Sequence, residues 1–136
     1  MLGKASLLAL LAASGLGQGS AAPSARDLSL FRDGLTATVI EARASDSLWA
    51  RCRVVAVDWR GLPAATSYQV QTRVGARGTW VAVQADPRCG RGGFVGATSF
   101  QDRVLRPAAR RYYRVVALAP NGESLAVTAP VPVEVR

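Results

Sequence analysis

Ser67-Tyr-Gln-Val-Gln-Thr-Arg-Val74 is the stretch that decides the fold class. Tyr68, Val70, Thr72 and Val74 fall on one side of an extended chain, and Gln69, Gln71 and Arg73 on the other. A period of two, with aromatic and β-branched residues on one face, is the pattern of a half-buried strand. Gly75-Ala-Arg-Gly78 turns the chain into a second run, Thr79–Gln84.

The same pattern continues outward in both directions. Upstream lie Leu35–Arg43, the turn Ala44-Ser-Asp-Ser47, and Trp49–Trp59, which Arg60-Gly-Leu-Pro63 ends. Downstream, a loop at Asp86–Gly96 leads to Ala97–Leu105, Tyr112–Ala119, the turn Pro120-Asn-Gly-Glu123 and Leu125–Val135. Pro130 and Pro132 consign that last run to a sheet edge, because proline has no N–H to give a ladder. No long window carries the i, i+3, i+4 spacing of an amphipathic helix. Seven short strands at this spacing predict an all-β protein, an antiparallel sandwich or a small barrel.

Val57-Asp-Trp59, then Leu62-Pro63 and Tyr68-Gln-Val70, resembles the second and third strands of a fibronectin type III domain. Leu105-Arg-Pro107, Arg114-Val-Val-Ala117 and Asn121-Gly-Glu-Ser124 resemble further landmarks of that family in register. The resemblance covers residues 35–136 and implies a seven-stranded β-sandwich with a buried Trp59, in a family that is overwhelmingly non-catalytic. Two positions depart from the pattern. Arg111 stands where the family has its corner tyrosine, with Tyr112 one place late, and Asp102 occupies an inward apolar position. Either both strands carry a bulge, or Arg111 and Asp102 pair across the sandwich.

The N-terminus has a targeting layout. Lys4 precedes the apolar run Ala5–Ala13, and a small, glycine-rich stretch follows to Ala22. That run is shorter than the roughly 20 residues that span a bilayer, so residues 1–21 are expected to be a secretory signal peptide rather than a transmembrane segment. Residues 22–34 then form a short leader before the domain, and the expected location is extracellular, periplasmic or the cell envelope. In such a compartment an even pair of cysteines predicts a disulfide, Cys52–Cys89. The bond requires either that the Asp86–Gly96 loop fold back along the sheet edge or that the Trp49–Cys52 stretch curl.

Chemistry is sparse. The sequence has no histidine, which excludes Ser-His-Asp and Cys-His arrangements and His-based zinc sites. The carboxylates are scattered, and Gly90-Arg-Gly-Gly93 lacks the Lys-Ser/Thr of a phosphate loop. No catalytic residue, metal site or cofactor is expected. Trp49, Trp59, Trp80, Tyr112 and Tyr113 could form a carbohydrate-stacking surface, but strand spacing predicts that Trp59, Trp80 and Tyr113 pack in the core and that Trp49 and Tyr112 are exposed.

The chain carries a net charge of +8, and every cation after Lys4 is arginine. Two explanations of that basicity compete, an anionic partner and a GC-rich coding sequence, which accounts for the choice of arginine though not for the shortage of acids. In a sandwich, loops collect at two ends. Arg77, Arg106, Arg110 and Arg111 are predicted to gather at one end as an anion-binding group, beside Arg43, Arg51, Arg103 and Arg136, while Arg60, Arg88 and Arg91 sit at the other among Asp58, Asp86 and Glu123. The expected function is a monomeric, non-catalytic interaction module with a protein partner. The alternative is an electrostatic binder of acidic glycan, nucleic acid or lipid headgroups.

Overall fold

A computed structural model of the chain describes residues 22–40, 51–105 and 108–136. The expected signal peptide, Arg43, Asp46, Trp49 and Arg106 lie outside the described residues. One helix, α1 (Ala25–Asp33), precedes β1 (Thr36–Ile40), β2 (Cys52–Asp58), β3 (Ser67–Val74), β4 (Val81–Ala82), β5 (Gly93–Gly96), β6 (Ser99–Leu105), β7 (Ala108–Leu118), β8 (Ser124–Val127) and β9 (Val131–Val135). The first sheet has the order β1-β2-β6-β5. The second runs β4-β3-β7, with β8 and β9 both on the far side of β7. All pairings are antiparallel, and the two sheets pack face to face as a β-sandwich.

Where seven strands were expected, the described residues form nine, for two reasons. β5 lies inside the expected loop, and the expected Leu125–Val135 run breaks at Thr128–Pro130. β8 then lies opposite Val116–Leu118 and β9 opposite Ala108–Tyr113, so the prolines stay on an edge. Thr128 holds the break in place. Its hydroxyl accepts from the Val115 N–H (2.9 Å), and its own N–H donates to the Val115 carbonyl (2.9 Å).

Alternation fills the space between the sheets. Val55, Val57 and Val104 face inward from the first sheet, and Val70, Tyr113, Val115, Ala117, Val133 and Val135 from the second. Trp59 is buried at the end of β2, packs edge-on against Tyr68 at 5.5 Å, and sits in one cluster with Leu62. The Tyr68 hydroxyl accepts from the Leu62 N–H (2.9 Å), which fixes the Pro63 turn against the core.

The leader is more than a connection. Ser24 caps α1 by accepting from the Asp27 N–H, while the Asp27 carboxylate accepts from the Ser24 N–H, a reciprocal capping box. The helix buries Phe31 completely against the core, with Tyr68 at 6.2 Å. The Arg32 carbonyl accepts from Ala129 N–H (2.9 Å), tying the helix to the β8–β9 break. Among the described residues no helix is long and apolar enough to cross a membrane.

Candidate binding surface

Asp102 on β6 and Tyr113 on β7 point at each other across the sandwich, and the tyrosine hydroxyl donates to Asp102 Oδ2 at 2.6 Å. Both are buried, at 4% and 0% exposure. Burial pushes the Asp102 carboxyl above its ordinary value, even though the Tyr113 hydrogen bond and the Arg111 charge pull it down. Burial and the Asp102 charge hold the Tyr113 phenol far above its own. Of the two alternatives the sequence left open, an Arg111–Asp102 pair is not what holds the carboxylate: the hydrogen-bond partner of Asp102 is Tyr113, with the Arg111 charge acting on it from nearby. No bulge is needed at Asp102, since β2 and β6 stay in register through it. β7 is irregular against β9 between Ala108 and Arg111. Arg111 stands two residues before Tyr113, half-buried in the wall of a cleft of about 510 Å³ that Asp102, Asp86 and Arg88 also line.

The cleft is bounded by the disulfide loop. Cys52 and Cys89 are bonded, with Cα atoms 5.7 Å apart. Of the two routes the sequence left open, the loop takes the fold back along β6. Cys89 and Gly90 N–H groups both donate to the Asp86 carbonyl, making a tight turn, and Arg103 reaches the Cys89 carbonyl (3.3 Å). Gly92 is required there, because a Cβ would collide with the Gln101 carbonyl oxygen. The loop brings Arg88 to the Arg111 end rather than the opposite one. Arg88 arrives with its own counter-ion, Asp86, at 3.1 Å.

The predicted anion-binding group is only partly assembled. Arg77 is exposed in the β3–β4 turn, and the Gly75 N–H of that turn donates to the Arg110 carbonyl (2.8 Å), so Arg77 and Arg110 share an end. Arg110, however, forks onto Glu134 (2.8 and 3.2 Å), which Arg136 also contacts. Arg111 serves the cleft rather than the surface, and Arg106 is outside the described residues.

A different group of arginines lies on the outer face of the second sheet. Trp80 was expected in the core. It precedes a β4 only two residues long and lies outside the core cluster, with Arg73 and Arg114 stacked on its indole at 4.7 and 4.4 Å. Arg73 also covers Tyr112, at 5.0 Å, which leaves that tyrosine half-buried rather than free. Arg114 Nε donates to Gln71 Oε1 (2.7 Å), and Gln71 donates onward to Gln69 (2.7 Å). Burial and the nearby Arg73 charge lower the Arg114 guanidinium from its ordinary value. Arg73 Nε is buried without a hydrogen-bond partner. Among the described residues no carboxylate ion-pairs with either arginine.

The edge strand β5 presents Phe94 and Val95, 54% and 61% exposed. Phe94 packs edge-on against Phe100 at 5.1 Å and Trp59 at 6.3 Å, so its ring is held rather than loose. Compared with protein-family models, curated proteins and solved structures, the chain matches none of them.

Proposed function

We propose that this chain is a non-catalytic binding module acting outside the cytoplasm, a fibronectin type III-like sandwich exported by its N-terminal segment. The observation that carries the reading is the Cys52–Cys89 bond, with no free cysteine among the described residues. Disulfides persist in oxidising compartments, and this one clamps a loop onto a rigid sheet. The family reading is supported by Trp59 and Tyr68, which pack where the resemblance to the second and third strands puts an inward tryptophan and tyrosine. Several of the carboxylates are structurally engaged: Asp102 with Tyr113, Asp86 with Arg88, and Glu134 with Arg110 and Arg136. That favours binding over catalysis. Phe94, braced against Phe100 and Trp59 and next to Val95 on an exposed edge, offers a protein partner an apolar contact.

A second reading, an electrostatic binder of anionic polymer, is favoured by arginines that no carboxylate among the described residues ion-pairs, Arg73 and Arg114 above all. Salt separates the two. The purified protein is cross-linked to its own envelope fraction at low salt and at about 0.5 M, where the Debye length falls to a few ångströms. A complex that survives salt and is lost in Phe94→Ser supports the protein interface. A complex that dissolves with salt and is indifferent to Phe94→Ser supports the polymer.

A further inference from the structure

We infer that the outer face of the second sheet is a binding site for acidic glycan, in which Arg73 and Arg114 take the carboxylate or sulfate groups and Gln69 and Gln71 the hydroxyls. The inference rests on the anionic-partner reading and adds its place and ligand class.

Three observations converge on the site. Among the described residues Arg73 and Arg114 share one indole and have no counter-ion, so two like charges are held together, with the neutral Gln71 as the hydrogen-bond partner of Arg114. Stacking covers the faces of the guanidiniums and leaves donors at their edges, the geometry that grips an oxyanion in the plane. Arg73 Nε itself is buried and unpartnered, so the donors open to a ligand are the terminal nitrogens of the guanidiniums. An anion on that open edge would answer the repulsion.

The surroundings select the polymer. Gln69, Gln71 and Arg73 succeed one another on one face of β3, at about 6.6 Å intervals given the rise of a strand. This is a flat polar track with amides suited to hydroxyl groups and cations suited to acids. Single-stranded nucleic acid needs aromatic faces on which bases stack, but Trp80 and Tyr112 already give theirs to arginines. A major groove admits a helix or a two-stranded ribbon rather than the face of a sheet. Lipid surfaces call for exposed apolar side chains alongside the charges, and this track has glutamines in that place.

The test uses purified protein with polygalacturonate and heparin oligosaccharides, followed by Trp fluorescence and calorimetry at low salt. Binding is expected to perturb Trp80 emission, an effect lost in Trp80→Phe. Arg73→Gln with Arg114→Gln should weaken binding by about tenfold or more and reduce the salt slope by about two. Arg26→Gln with Arg60→Gln, the same loss of charge elsewhere, should change affinity less than about twofold. An unchanged melting temperature in each double variant shows that the fold is intact. If glycan binds the wild type and the Arg73/Arg114 variant equally, this site is wrong while the anionic reading stands. If oligo-dT or anionic vesicles bind more tightly than glycan at equal salt, the ligand class is wrong. If none of these polyanions binds at low salt, the site and the anionic reading both fall.

Discussion

Tyr113 and Asp102 join the two sheets by a hydrogen bond of 2.6 Å between buried side chains. An aspartate inside an apolar sandwich is tolerated because the tyrosine hydroxyl reaches it from the opposite layer. Tyr113→Phe keeps the ring and removes the donor, leaving Asp102 buried without that bond. The expected loss is about 2 kcal/mol of unfolding free energy, in the range for hydrogen bonds to charged groups, read from urea denaturation. An effect near zero would mean that water replaces the hydroxyl.

The same aspartate gives stability a pH dependence of known sign. Its carboxyl titrates above its ordinary 3.8 in the folded chain because burial disfavours the anion. Between the two values the folded state holds the extra proton, so this group's contribution is fully present below pH 3.8 and is lost as pH rises through the raised value. Asp102→Asn can still accept from Tyr113 and cannot titrate. The difference in stability between wild type and variant, followed from about pH 4 to about pH 8, should therefore move against the wild type as pH rises. Parallel curves would show that Asp102 titrates alike folded and unfolded.

Helix α1 belongs to the domain. Phe31 is fully buried and α1 is tied to the β8–β9 break, so Phe31→Ala should cost about 3–5 kcal/mol. Ser24→Ala, which removes the cap, should cost about 1 kcal/mol. Thermal melts check both, and a chain shortened to begin at residue 35 that melts like the wild type would contradict the assignment.

The disulfide closes a separation of 37 residues, worth roughly 3–4 kcal/mol in the chain-entropy model. Cys52→Ala with Cys89→Ala should lower stability by about that amount. It should also free the loop, so that trypsin cuts after Arg88 and Arg91 before it cuts the sheets. Cleavage that starts elsewhere would mean the loop is held by contacts other than the bond.

Alternation made β3 legible to the residue, and runs of β-branched and aromatic residues did so for most of β1, β2 and β6. β1, β3 and β6 turn alternate residues to the core, so their pattern is written in the sequence, while β2 is covered on both faces, with Val54 and Val55 both buried. β5 was hidden because neither Phe94 nor Val95 is buried, and Gly93 and Gly96 flank them like loop residues. Helix α1 buries a single side chain, too little for a helical period to emerge; the Ser24-Ala-Arg-Asp27 capping pattern was its one signal. Trp80 was misplaced for a related reason. Strand spacing assigns tryptophan to the core, but a two-residue β4 does not carry it there, and two arginines on the neighbouring strands cover it instead. Asp102 was recognised as an inward charge. Its partner was left open in the sequence; a tyrosine, formally neutral, competes with arginine for a buried carboxylate without bringing a second charge to desolvate.

Export and the Cys52–Cys89 bond are tested together by the intact mass, under non-reducing conditions, of the protein recovered from its own cells. The expected species lies outside the cytoplasm, lacks residues 1–21, is two hydrogens lighter than its reduced form, and offers no alkylatable thiol. Recovery of the uncleaved chain in the cytoplasm with Cys52 and Cys89 free would contradict both.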